Sequence, residues 1–161
     1  MTIEIRRIEY GTPAAAVLLD QMDAEMEALY AGIRETRDPA MGALVAAALT
    51  VHPEEMVATV GAFDGDEIVG HAALRPFEDS LEVKRVFVRV DHRGQGISKQ
   101  LMLELEAIAR ERGVASLILQ TGNLQTEAIT LYERIGYVPI DRFSAYAPIP
   151  FFLCFGKRLA P

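Results

Sequence analysis

"LEVKRVFVRVDHRGQGISKQLM", residues 81–102, passes from a β-branched strand through a glycine corner into a helix. Its first half changes parity: Leu81 and Val83 are apolar at odd positions, whereas Val86, Val88 and Val90 are apolar at even ones. A strand of period two cannot do this without an inserted residue or two buried faces, so the pattern predicts a β-bulge near Lys84 and Arg85. In the second half Leu101, Met102, Leu105, Ile108 and Ala109 follow helical spacing toward a stop near Gly113.

Between the halves, Arg93-Gly94-Gln95-Gly96-Ile97-Ser98 opens the helix. A helix start presents unpaired N–H groups and about half a positive charge, and glycines let a ligand approach that backbone closely. Phosphate or pyrophosphate is the matching ligand, with Arg93 and Lys99 as cationic donors beside it. The competing reading is that the glycines only make a tight turn. The spacing is neither a GxGxxG fingerprint followed by a distant acid nor a P-loop, because no GKS or GKT is present.

The 161 residues are half apolar, enough for one core, and predict a single domain over 1–161. No run of eighteen uncharged apolar residues occurs, and "MTIEIRRIEY" carries early charge without an apolar stretch behind it. A soluble, cytoplasmic protein without membrane contact is therefore expected. Cys154, the only cysteine, sits in "FFLCFG" and reads as a core thiol. A net charge of −7 argues against a nucleic-acid or anionic-membrane binder and mildly favours a cationic substrate.

Outward from the corner, "TIEIRRIEY" alternates as an opening strand, and Thr12-Pro13 reads as the start of one long helix or two short ones. Leu18, Met22, Met26, Leu29 and Ile33 recur at helical spacing, so the methionines read as core. A second helix covers "AMGALVAAAL" after Asp38-Pro39 and ends before His52-Pro53. "MVATVGAF" and "EIVGHAAL" form a hairpin across Asp64-Gly65-Asp66, and "RPFEDS" reads as the loop to the next strand. His71 has no histidine or cysteine at ligand spacing, so no metal is expected. "VASLILQT" is a strand covered on both faces, "NLQTEAITLYERIGY" a helix closed by Gly136, and "FFLCFGKRL" the last strand. Strand-helix alternation after an antiparallel meander predicts an α/β or α+β sheet of mixed direction.

"VRVDHRGQGISKQLMLELEAIARERG" resembles the acetyl-CoA-binding motif of the GNAT superfamily of N-acetyltransferases, Gln/Arg-x-x-Gly-x-Gly/Ala. Arg93 and Gly96 match its first two fixed positions and Ser98 departs from the third. "NLQTEAITLYERIGYVPI" resembles the family's second signature, and the resemblance spans roughly residues 3 to 158. It implies the GNAT fold, a central, mostly antiparallel sheet splayed at the acetyl-CoA site and flanked by helices. Further implied are pantetheine pairing by the backbone of Phe87 and Val88, a pyrophosphate cradle over Gly94, Gln95, Gly96, Ile97, Ser98 and Lys99 beside Arg93, and a hydrogen bond from Asn123. Asn123 also reads as a helix N-cap. The co-substrate would be acetyl-CoA, without a metal. Members of the family often dimerise, which leaves a homodimer open.

Acyl transfer needs a neutral amine, a donor for the tetrahedral oxyanion and a proton for the departing thiolate. Tyr132 matches the family's general acid, and the Val88 N–H suits the oxyanion. Glu82, alternating away from Leu81 and Val83, is the candidate base through a water; the alternative is a solvated surface glutamate. His92 is expected to face solvent, and Tyr146 and Phe143 either line the acceptor pocket or pack under the last strand. The expected function is transfer of acetyl from acetyl-CoA to a primary amine of a small molecule or amino acid, in a ternary complex. Alternatives are a non-catalytic CoA-binding module and acetylation of a protein N-terminus or lysine.

Overall fold

Ile3 and Ile5 point one way from strand β1 (Ile3–Ile8) and begin a sheet that the rest of the chain completes. The computed structural model describes residues 2–161. Thr12 caps helix α1 (Pro13–Thr36), its side chain accepting from the Ala15 N–H, and Asp38 does the same for α2 (Pro39–Leu49) through Ala40. Strands β2 (Ala58–Asp64), β3 (Glu67–Phe77) and β4 (Ser80–Val88) form the meander. Helix α3 (Ile97–Glu111), β5 (Ser116–Gly122), α4 (Thr126–Arg134), β6 (Val138–Ile140) and β7 (Phe152–Arg158) follow.

The sheet has seven strands in the order β1-β2-β3-β4-β5-β7-β6, and only the β4–β5 pair is parallel. This is the mixed, mostly antiparallel α/β architecture expected. Three details differ from the sequence reading. β3 continues through Arg75-Pro76 to Phe77, so that the connection shrinks from a loop to Glu78 and Asp79. β6 escaped notice because three exposed residues carry no alternation. A second bulge places Val69 as an extra residue of β3 against β2.

Helix α3 covers one face: Leu101, Met102, Leu105 and Ala109 pack with Val60, Ala72, Leu74, Leu81 and Val83. Its first turn sits close because Gly70 has no side chain; a Cβ there would lie 3.2 Å from carbons of both Ile97 and Leu101. Helix α1 covers the other face, Ala15 and Leu18 against Ile68 and Phe87, and α2 contributes Ala48 to a cluster with Tyr146, Ile149, Phe152 and Cys154. Cys154 is thus a core thiol, and burial raises its pKa. Among the described residues no helix is long and apolar enough to cross a membrane.

A buried polar joint holds α3 in register with the far edge of the sheet. Glu106, 1% exposed, accepts from Lys157 Nζ at 2.9 Å and from the Tyr137 hydroxyl at 3.3 Å. Removing Lys157 leaves the buried Glu106 charge to Arg110, a partly exposed guanidinium 3.8 Å away, whereas replacing both members of the close pair by apolar groups leaves no such charge. Lys157→Met should therefore lower unfolding stability by about 3 kcal/mol, and Glu106→Leu added to it should recover most of the loss, both read from denaturant midpoints.

Candidate active site

The predicted bulge falls on Arg85. β4 spends two residues, Arg85 and Val86, where β3 spends only Ala72, and Arg85 takes a left-handed φ of 57°. That conformation is costly for a non-glycine residue and persists only when its surroundings hold it. Two contacts do so. His71 Nδ1 lies 2.8 Å from the Arg85 carbonyl, which can only accept, so the imidazole donates; burial lowers its pKa and keeps it neutral. The Arg85 guanidinium forks onto Asp23 of α1 at 2.7 and 3.2 Å.

Past the bulge the two central strands part. β4 and β5 pair only over Leu81–Val83 with Leu117–Leu119, after which β4 stays with β3 and β5 with β7. The Val88 carbonyl turns away from β3 to accept from Arg93 Nε at 2.8 Å. In an extended strand the N–H of the same residue points to the same side, into the gap.

Two chambers open along this gap. The first, about 550 Å³, is lined by Phe87, Val88, Arg93, Gly94, Gly96, Ile97, Ser98 and Lys99, with α1 and α4 as its other walls. The second, about 370 Å³, lies between α1 and the strand residues Val83–Val86 and Gln120–Gly122. They share Met22, Met26, Val86, Gln125 and Tyr132. Met26 is therefore a cleft wall, while Met22 lines the cleft and also packs against the Ala15, Leu18, Ile68 and Phe87 cluster, a distinction that helical spacing cannot make.

The glycine corner is shaped as a cradle. Gly94 and Gly96 have φ of 77° and 75°, Gly96 is the N-cap of α3, and Ser98 lies in the first turn with ordinary helical backbone. The loop before it is pinned by His92, whose Nε2 lies 3.0 Å from Asp64 and whose Nδ1 lies 2.8 Å from Asp91. His92 is buried rather than solvent-facing, and Asp91, with Asp64, raises its pKa. Arg93 lines the chamber, yet its nitrogens already donate to Val88 and, at 2.8 Å each, to Glu25 of α1. The groups open to an anion are then the helix-start N–H groups and exposed Lys99. Gln95 is exposed beside the chamber. Asn123 is exposed in the β5–α4 turn, its N–H bonded to the Phe151 carbonyl; α4 is capped by Gln125, without a side-chain bond.

Tyr132 is the one buried residue of α4, its ring set by Tyr137 and Phe155, and it borders both chambers. Burial raises its pKa, so the phenol stays protonated. Glu82 is 1% exposed and lines neither chamber. Its oxygens accept from Arg75 Nε at 2.7 Å and from the Tyr146 hydroxyl at 2.6 Å. A base acting through a water needs an oxygen open at the cavity, so neither the water-mediated base nor the solvated-surface reading fits this placement. Tyr146 and Phe143 are packing residues of the α2 cluster and line no part of either chamber.

The residue that sequence reasoning passed over is Lys84. It lines the second chamber, donates to the Tyr146 hydroxyl at 2.8 Å and lies 3.7 Å from Glu82. Burial pulls its pKa down to about 8 against the opposing pull of Glu82. Its signal was present: a lysine two residues from Glu82, on the same face of a buried strand and next to the inferred bulge.

A family model described as the acetyltransferase (GNAT) family matches residues 18–137. N-acetyltransferase 8 of Mus musculus is 39% identical over 79 residues, which cover 45% of this chain and 35% of that protein. The match thus spans about a third of that relative. The structure described as an acyl-CoA N-acyltransferase from Klebsiella pneumoniae superimposes with a TM-score of 0.76 at 29% identity, covering 99% of both chains. The PaiA N-acetyltransferase of Thermoplasma acidophilum in complex with coenzyme A shares the fold, with a TM-score of 0.71 at 18% identity over 98% of this chain and 99% of that one.

Residue 98 tests the cradle. Ser98→Gly should leave the acetyl-CoA dissociation constant within about twofold, whereas Ser98→Val should weaken it about tenfold, the equivalent of one charge-assisted hydrogen bond. Equal constants by calorimetry for all three forms would place residue 98 away from the anion.

Proposed function

Because the chain belongs to the acetyltransferase (GNAT) family, we propose that it is an acetyl-CoA-dependent N-acetyltransferase acting on a primary amine of a small molecule by direct attack in a ternary complex. The observation that carries this reading is the junction at Val86 and Tyr132, where the two chambers meet. Acetyl-CoA occupies the first, with its pyrophosphate at residues 94–99 and its pantetheine arm beside Phe87 and Val88. The acceptor occupies the second. Asn123 lines neither chamber and stands exposed in the turn that leads to α4.

The amine nitrogen attacks the thioester carbonyl, forming the C–N bond while the oxygen takes the electron pair and is met by the Val88 N–H. The C–S bond then breaks, and Tyr132 supplies the proton that makes the free thiol. A phenol held protonated by burial suits that task. The proton lost by the amine passes to Lys84, whose lowered pKa leaves a substantial neutral fraction at mildly alkaline pH. Glu82 enters as the inner end of the Lys84–Tyr146–Glu82 chain, balancing the charge that Lys84 acquires.

Release of free thiol from acetyl-CoA, followed against a library of primary amines, tests the reading. With the best acceptor, kcat/KM should rise as pH passes about 8, the range in which Lys84 loses its proton. Tyr132→Phe and Lys84→Met should each lower kcat about 10²-fold, and Lys84→Met alone should abolish that limb. Binding of acetyl-CoA without thiol release for any acceptor would reduce the protein to a CoA-binding module.

A further inference from the structure

The wall of the second chamber has a charge balance opposite to that of the whole chain. Arg34, Arg37, Lys84 and Arg85 face it against Asp23 and Glu27, in a protein of net charge −7. Arg85 is matched by the Asp23 fork. Arg34 meets Glu27 only at 3.9 Å, with both side chains at least half exposed, a pairing of little worth. Arg37 has no carboxylate partner among the described residues; its guanidinium rests on the Phe151 ring, 4.8 Å from the centroid.

Hydrogen-bonding capacity is left over in the same place. Arg37 Nε, Arg85 Nε, the Tyr30 hydroxyl and Thr121 Oγ1 are buried without a partner, and all four residues line this chamber. Buried polar groups are normally satisfied, so four orphans around one cavity call for a ligand that brings oxygen acceptors. The place of Tyr30 is built in: a Cβ at residue 122 would lie 1.9 Å from its hydroxyl oxygen, so that only glycine leaves room for it. Phe151, Phe152 and Met26 supply apolar wall beside these groups.

We infer that the acceptor is a primary amine that also carries a carboxylate, an amino acid with an apolar side chain, held by its carboxylate on Arg37 and Tyr30 while its amine lies toward Lys84 and Tyr132. This rests on the acyl-transfer reading above and names the acceptor class for the same chamber. A guanidinium already stacked on an aromatic ring is oriented to fork onto a planar carboxylate, and the stacking lowers the cost of desolvating it. The expectation of a cationic acceptor, drawn from net charge alone, gives way to the local wall.

The test measures thiol release from acetyl-CoA with phenylalanine, leucine and methionine, each paired with the amine obtained by removing its carboxyl group. At least one amino acid should exceed its amine tenfold or more in kcat/KM. Arg37→Gln should bring that ratio close to one, and Arg37→Lys should retain part of it, with acetyl-CoA affinity unchanged in both because residue 37 lies outside the first chamber. 3-Phenylpropionate, a carboxylate without an amine, should compete with the acceptor and lose that effect in Arg37→Gln. Turnover confined to the decarboxylated amines, or equal loss for both members of each pair in Arg37→Gln, would overturn the carboxylate inference alone. Thiol release with other primary amines of the library but with neither set would likewise overturn the inference alone, whereas no release with any of them, while acetyl-CoA still binds, would overturn the acyl-transfer reading and this inference together.

Discussion

One extra residue in a central strand sets the shape of everything that faces ligand. Arg85 occupies a conformation that most side chains avoid, and it is held there by the His71 imidazole of the neighbouring strand and by the α1 carboxylate of Asp23. Because strand side chains alternate, that insertion turns Val86 and Val88 to the α3 face and Phe87 to the α1 face. It also twists β4 away from β5 after three paired positions. Backbone strain at one residue is thereby converted into a wedge of unpaired backbone ending at a helix N-terminus, with Tyr132 at its centre.

Electrostatics then divides the wedge. At the corner end, a chain rich in carboxylates presents the positive backbone end of α3 and Lys99, while Arg93 is held by Glu25 and ties α1 to the loop. At the other end, Arg75, Glu82, Tyr146 and Lys84 form a buried network in which the carboxylate is saturated by donors. A single buried carboxylate shared among two cations and a phenol leaves Lys84 the member most easily deprotonated. The acid and the base of the proposed reaction thus differ in the direction in which burial helps them: it retains the proton on Tyr132 and weakens its hold on Lys84.

The sheet, the helix starts and the glycine cradle were legible because each rests on local rules. Thr12-Pro13 and Asp38-Pro39 announce helices through capping, and the parity change from Val83 to Val86 announces a bulge through alternation. What supports the bulge was not legible, since His71 and Asp23 lie 14 and 62 residues from Arg85 and meet it only in the fold. Burial was the other failure. Glu82 and His92 read as surface or cavity groups because nothing in a strand or loop pattern tells a solvated polar residue from one enclosed by partners, whereas for Tyr146 the packing alternative holds. Helical spacing likewise could not declare that Met26 borders a cleft and that Met22 serves cleft and core together.

The central claim is that the opened strand and the corner behind it are one continuous binding surface for acetyl-CoA. Amide hydrogen exchange, followed residue by residue with and without acetyl-CoA, tests it most directly. The Val88 N–H and those of residues 94–98 should become protected together, while the amides of β6 and the β6–β7 edge keep their free rates. Protection confined to the second chamber, or none at Val88 despite saturation with acetyl-CoA, would contradict it.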